Sequence, residues 1–140
     1  MWLMQRKIAR ENSFILLFEK IFRADETAEE IFRGATEIRG LEFDDYVKTV
    51  FFGASENEKI IEETVLRHTV GWKKERISPV SSAIIKLAAF EMLFMADIPS
   101  RVSINEAIEL SKKYDDEKAY SFVNGVLNGI ASELEAADGK

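Results

Sequence analysis

The sequence predicts an all-α protein of about seven helices joined by short connections. Apolar residues recur at helical spacing along nearly the whole chain, and no stretch between turn signals alternates apolar and polar residues long enough to form a strand. Seven glycines and two prolines among 140 residues argue against low-complexity or disordered segments. These features are consistent with two small packed bundles, and the length fits one domain over residues 1–140.

The first three helices are predicted in the N-terminal half of the chain. The first runs from about Leu3 to Arg23 and the second from about Thr27 to Ile38, where Gly40 acts as a C-terminal stop. The third is expected to cover about Phe43 to Phe52 and to end at Gly53.

Serine residues mark the starts of the fourth and fifth helices. Ser55 followed by Glu58 forms a Ser-x-x-Glu capping box, which predicts that the fourth helix begins there. Ser78 followed by Pro79 predicts the start of the fifth, because serine accepts from free backbone amides and proline at the first helical position lacks a donor that would have no partner. The predicted buried side of the fourth helix consists of Ile60, Ile61, Val65 and Leu66.

The fifth helix is expected to lie in the centre of the protein. Val80 to Ala96 is the most apolar segment, and Lys86 and Glu91 are its only charged residues. Each charge would cost about 2.5–3.5 kcal/mol at the middle of a bilayer, so a buried core helix is the better interpretation than a membrane span. Trp72 after Gly71 indicates that the connection before this helix is packed.

Two further helices are predicted after Pro99. Ser103 and Glu106 form a second capping box, for a sixth helix that extends to about Tyr114. Either acid of the pair Asp115-Asp116 is expected to cap the seventh helix, which runs to about Glu135.

Composition restricts the possible functions. The 19 basic and 25 acidic residues give a formal net charge of −6, which argues against a protein that binds nucleic acid with its whole surface. Any RNA site must therefore be local. The absence of cysteine excludes disulfides and thiolate metal sites and fits a reducing compartment. Because the N-terminus lacks the order of a signal peptide, we expect a cytoplasmic protein.

Patterns typical of catalysis are missing from the sequence. His68, the single histidine, has no cysteine beside it and no metal-ligand spacing around it. The pairs Asp44-Asp45 and Asp115-Asp116 stand just ahead of predicted helices, where acids stabilise the positive end of the helix dipole, so capping explains them better than acid–base catalysis. No phosphate-binding glycine loop or nucleophile elbow occurs. We therefore expect a protein that is not an enzyme and uses neither a metal nor another cofactor.

The start of the first helix carries a candidate RNA-binding patch. At 100° per residue, Arg6, Lys7 and Arg10 fall within an arc of about 100°, and the first ten residues contain no acid. The alternative is a positive N-terminus that is simply solvated.

The last helix carries a second candidate feature. Ser121, Gly125 and Gly129 repeat every four residues, so another helix or a ligand can approach this stripe closely. Asn124 and the aromatic Phe122 are suited to recognising or stacking unpaired bases. Alternatively, Phe122 belongs to the core.

Several sequence blocks resemble the NusB family of bacterial transcription antitermination factors. They are Ala83–Glu91, Asp97-Ile98-Pro99, Ile104–Leu110 and Phe122–Leu127, in that order and spacing. The resemblance extends over nearly the whole chain. It implies two three-helix bundles that share one core, and a non-enzymatic adaptor for ribosomal RNA operons.

The resemblance also implies partners and the residues that contact them. The partners are a boxA-type single-stranded leader RNA, the ribosomal protein NusE, other Nus factors and RNA polymerase. Implied RNA-binding residues are Arg6, Lys7, Arg10, Arg101, Lys118, Ser121, Phe122 and Asn124. Implied NusE-binding residues are Phe18, Phe22, Ser81 and Ile84.

Three positions depart from the pattern of this family. Ser121 stands where lysine is usual, Phe18 where tyrosine is common and Ser81 where an acid is common. Ser121 and the acidic net charge suggest the alternative function, a helical protein–protein adaptor without RNA binding. Similar helical domains are also fused to some ribosomal RNA methyltransferases, but 140 residues leave no room for a cofactor-binding sheet.

Overall fold

The computed structural model describes residues 2–73 and 77–139, and all regular structure within these ranges is helical. The elements are α1 (Trp2–Phe22), α2 (Ala28–Arg33), α3 (Asp45–Glu56), α4 (Glu58–Leu66), α5 (Pro79–Phe94), α6 (Ser100–Tyr114) and α7 (Ala119–Gly139). A π-helical turn, Gly34–Ile38, extends α2. The predicted all-α class with about seven helices is confirmed.

Helix α5 forms the centre of the molecule. It packs against α1, α3, α4, α6 and α7, and ten of its 16 residues are buried. On one side, α1, α2 and α3 pack on one another, and on the other side α5, α6 and α7 do so. The two three-helix bundles thus share a core through α5. Among the described helices, none is both long and apolar enough to cross a bilayer.

The start of α5 is formed as predicted. The Ser78 hydroxyl accepts a hydrogen bond from the backbone N–H of Ser81 at 2.9 Å, and Pro79 is the first helical residue. The Ser78 hydroxyl also donates to Asp115 at 2.6 Å, and the hydroxyl of Ser81 donates to the same carboxylate oxygen at 2.8 Å. Asp115 therefore joins the end of α6 to the start of α5.

The predicted end of the third helix at Gly53 is wrong, because α3 continues to Glu56. A Cβ atom at Gly53 would lie 2.5 Å from Cζ of Phe90. The glycine therefore allows α3 to approach α5 closely and does not act as a stop.

Both predicted capping boxes are wrong. The Ser55 hydroxyl donates to the carbonyl oxygen of Phe51 within α3, and α4 begins after Asn57. Ser103 lies inside α6, where its hydroxyl donates to the buried Glu91. In the predicted buried side of α4, Ile61 is buried, but Ile60 and Leu66 are about half exposed.

The start of α7 supports the prediction of an acidic cap. Asp116 accepts from the backbone N–H groups of Lys118 and Ala119, each at 3.0 Å. The helix extends to Gly139, beyond the predicted end at Glu135.

Candidate nucleic-acid interface

Arg10, the third cation of the predicted basic patch, is buried and does not face solvent. Its Nε donates to Glu91 at 2.7 Å, and Glu91 also accepts from the hydroxyls of Tyr46 and Ser103. Burial opposes the charge on Arg10, but Glu91 outweighs this effect and raises the pKa of Arg10. The prediction that Arg10 contacts a phosphate is therefore wrong, because its buried guanidinium links α1 to α5.

The other two cations of the patch are accessible. The guanidinium of Arg6 lies 4.5 Å from the centre of the Tyr46 ring, in the geometry of a cation–π contact. The Nζ atom of Lys7 lies 3.1 Å from a Glu106 oxygen, and the lysine side chain is 58% exposed. The Lys7 side chain lies in water, where an ion pair contributes little to stability. A phosphate can therefore compete with Glu106 for Lys7.

The predicted residues of α7 lie at the opposite end of α5 from this patch. Lys118 and Phe122 line a groove with Ser81, near the start of α5, whereas Arg10 contacts Glu91 near its end. Ten residues of helix separate Ser81 from Glu91, which is about 15 Å. The structure therefore forms two clusters of predicted residues, not one.

Helix α6 spans the interval between the two clusters. Near its end, Lys113 donates to Glu11 of α1 at 2.5 Å, while the Nζ atom of Lys112 lies 6.0 Å from the centre of the Tyr120 ring of α7. Arg101 is exposed in the first turn of the same helix. Sequence reasoning missed Lys112 and Lys113, although two consecutive lysines at a predicted helix end were a usable signal.

Phe122 is only 5% exposed, so a base cannot stack on it directly. Its ring packs edge to face against Trp72, with the ring centres 4.9 Å apart, and Trp72 is 46% exposed. Of the two interpretations of Phe122, base stacking and core packing, the structure supports core packing. Trp72 is the accessible ring of this pair, and sequence reasoning did not assign it. The connection before α5 is packed, as predicted, where the Trp72 ring contacts Phe122.

The polar stripe of α7 is partly accessible. Ser121 is exposed, and Asn124 is half-buried and accepts a hydrogen bond from the side-chain amide of Asn128 at 2.9 Å. A Cβ atom at Gly125 would meet nothing within 4 Å, whereas one at Gly129 would lie 2.5 Å from Nδ1 of His68. Helix packing explains Gly129 but not Gly125.

His68 connects α4 to α7. Its Nε2 lies 2.6 Å from Glu133, which also accepts from Arg67 at 2.5 Å. The hydrogen bonds from Arg67 and His68 lower the pKa of Glu133 to about 2. These contacts give His68 a structural role in joining the end of α4 to α7.

The predicted NusE-binding residues divide into accessible and buried ones. Phe18 is half-buried and Phe22 is 63% exposed, and their ring centres are 4.9 Å apart. Ser81 and Ile84 are only 2% and 0% exposed. The prediction that they contact NusE directly is therefore wrong. A neighbouring groove of about 430 Å³ is lined by α1, α4 and α5, by Trp72 and Ile77 of the connection before α5, and by Phe122 of α7. From α1 and α5 its lining residues are Ile21, Ser82, Ile85 and Lys86.

Comparisons with known proteins agree on one family. The sequence model of one protein family, described as "NusB family", matches residues 7–132 of this chain. The chain is 43% identical over 132 residues to the transcription antitermination protein NusB of Bacillus licheniformis, a match that covers 94% of this chain and 100% of that protein.

Two solved structures extend the comparison to the fold. The structure of Thermotoga maritima NusB matches with a TM-score of 0.78 and 36% identity, covering 91% of each chain. A chain in a crystal structure of the antitermination factors NusB and NusE in complex with double-stranded RNA matches with a TM-score of 0.79 and 28% identity. That match covers 93% of this chain and 98% of the other.

Proposed function

The chain belongs to the NusB family, and from this premise we propose that it is a non-enzymatic transcription antitermination factor of the cytoplasm. In this proposal it binds a boxA-type leader RNA together with the ribosomal protein NusE and delivers both to RNA polymerase and other Nus factors. The transcription that it supports is that of ribosomal RNA operons.

The observation that carries the proposal is the distribution of cations on an acidic protein. With a net charge of −6, the chain still presents Arg6 and Lys7 at the start of α1 and Lys118 at the start of α7. Lys112, near the end of α6, lies close to Tyr120 in the first turn of α7. Cations grouped in this way favour a phosphate backbone locally.

The RNA contacts that we propose differ from those that the family resemblance implies. In this proposal Arg6, Lys7, Arg101 and Lys118 contact phosphates, while the buried Arg10 shares the Tyr46 ring with Arg6. Each phosphate contact to a single strand contributes about 0.7 to the slope of log K against log salt. Four contacts give modest binding, so base contacts or a second protein must add affinity.

A protein partner is supported by a second groove, which shares Trp72, Ile77 and Phe122 with the groove at Lys118. Phe22 is exposed at the end of α1, and the groove lined by Ile21, Ser82 and Lys86 opens beside it. We assign NusE to this surface, with Phe18 behind Phe22. Because RNA and NusE would then occupy one adaptor, each would raise the effective concentration of the other.

Binding assays with and without NusE test this function. We expect boxA-type RNA to bind more tightly than a scrambled RNA of the same length, and NusE to increase that difference. Equal affinity for the two RNAs, with and without NusE, would contradict the proposal. NusE binding without any RNA binding would instead establish the protein–protein adaptor, the candidate that the acidic net charge favours.

A further inference from the structure

We propose that the groove beside Trp72 is a pocket for one unpaired base of the bound RNA. In this pocket the base stacks on Trp72, and Lys73 and Lys118 contact the adjoining phosphates. The inference rests on the proposed RNA-binding function and adds to it a defined subsite.

The groove has the size and walls that such a ligand needs. Its volume is about 510 Å³, within the range of roughly 300–1,000 Å³ that small-ligand pockets occupy. Trp72, Ile77 and Phe122 form its apolar side, and the start of α5 and the turn between α6 and α7 form the rest. The same three side chains also line the neighbouring groove, so Trp72 stands between two open spaces.

Trp72 is held in place but not covered. Phe122 packs against it edge to face, and nearly half of Trp72 remains exposed. An indole fixed on one side presents its other surface without a large loss of conformational freedom. Unpaired bases are recognised by stacking on such aromatic side chains.

Two lysines at the groove can contact a phosphate. Lys73 and Lys118 are exposed, and neither forms an ion pair with a described residue. The acids nearby are occupied, because Asp115 accepts from two serine hydroxyls and Asp116 accepts from two backbone amides. Among the described lining residues, the two lysines balance the charges of the two carboxylates and are the groups that can contact a phosphate.

The position of the groove favours RNA over other ligands. Phe122 and Lys118 belong to both the groove and the predicted RNA surface of α7, and Ser121 is exposed directly beside Phe122 in the chain. A strand that runs along the start of α7 therefore passes the mouth of the groove.

Fluorescence of Trp72 tests the pocket directly. In a Trp2→Phe background, Trp72 is the single tryptophan, and a stacked base quenches its emission. We expect single-stranded boxA-type RNA to quench Trp72, and the same RNA annealed to its complement not to do so, because paired bases cannot enter. Equal quenching by the duplex would overturn the base pocket.

Affinity measurements separate this inference from the proposed function. Loss of one stacked base should weaken RNA binding by about 5- to 150-fold in Trp72→Ala, while Trp72→Phe, which keeps an aromatic ring against Phe122, retains most of it. Phe94→Ala removes an exposed aromatic elsewhere and serves as the control. If Lys7→Gln weakens binding but Trp72→Ala does not, the pocket is wrong and RNA binding stands. If the unaltered chain binds no RNA, both fall.

Discussion

Glu91 shows how a single buried side chain organises the basic end of α1. Its carboxylate accepts hydrogen bonds from Arg10, Tyr46 and Ser103, and so joins four helices at one point. Burial and the neighbouring Glu91 charge raise the pKa of Tyr46, so its hydroxyl remains a donor. The ring of Tyr46 in turn supports Arg6. The position of Arg6 therefore depends, through Tyr46, on a buried anion.

We predict that Glu91→Gln lowers the free energy of unfolding by about 3 kcal/mol or more, because removal of one partner leaves the buried Arg10 charge uncompensated. Urea denaturation measures this loss. Glu109→Gln, an exposed substitution on α6, should change stability by less than about 0.5 kcal/mol. A Glu91→Gln variant as stable as the Glu109→Gln variant would contradict the role assigned to the network.

Arg10 and Phe122 show what a sequence can predict of individual side chains. The helical arc predicted a single patch of Arg6, Lys7 and Arg10, but an arc does not reveal which part of it a neighbouring helix covers. The covering residue is Glu91, 81 positions away in sequence. In the same way, only the tertiary contact between Phe122 and Trp72 identifies the exposed member of the pair.

Gly125 and Gly129 of helix α7 lie in different surroundings. Gly129 lies against His68, whereas Gly125 is exposed, and a Cβ atom added there would meet nothing within 4 Å. A glycine inside a helix costs up to about 1 kcal/mol relative to alanine. Since packing does not require Gly125, close approach of RNA is the reason that we propose for it.

Alanine at position 125 separates stability from binding. Gly125→Ala should stabilise the protein by about 0.5–1 kcal/mol and weaken RNA binding, because the added methyl group stands on the RNA-facing side. Thermal unfolding and RNA titration measure the two effects. Gly34→Ala, also without neighbours within 4 Å, should stabilise without weakening RNA binding. Unchanged affinity in Gly125→Ala would remove the proposed reason for this glycine.

The contact between α4 and α7 should depend on acid pH. The pKa of Glu133 falls from 4.5 to about 2 in the folded protein, so its stabilising contribution is present above pH 4.5 and is lost as the pH falls towards 2. Unfolding of the Glu133→Gln variant should therefore lose part of the pH dependence between pH 5 and 2. An identical pH profile for the variant and the unaltered chain would contradict this assignment.

Helix starts were predictable where the signal was purely local. Ser78 and Pro79 act within one turn, and the predicted start of α5 is confirmed. Ser55 and Ser103 matched the same kind of pattern, but both hydroxyls bond elsewhere: Ser55 to its own helix and Ser103 to Glu91. The wrong prediction that α3 ends at Gly53 has a similar cause. The glycine is required by the ring of Phe90, which lies in α5 and is distant in sequence.

The molecule as a whole carries its candidate RNA contacts at two ends of α5, about 15 Å apart along the axis. The fold class and the family resemblance were predictable because apolar periodicity and the late sequence blocks extend over most of the chain. The division of the candidate RNA contacts into two clusters was not predictable, because it depends on the antiparallel arrangement of α5 and α6. Lys113 and Glu11 join α6 to α1 between the clusters.

The salt dependence of RNA binding tests most directly whether both clusters contact one strand. If Arg6, Lys7, Lys73, Arg101 and Lys118 each contact a phosphate, log K for boxA-type RNA should fall against log salt with a slope of about −3.5. Lys7→Gln and Lys118→Gln should each reduce that slope by about 0.7, and Arg33→Gln on α2 should leave it unchanged. A slope that responds to Lys7 but not to Lys118, or to neither, would contradict binding of a single strand across both ends of the protein.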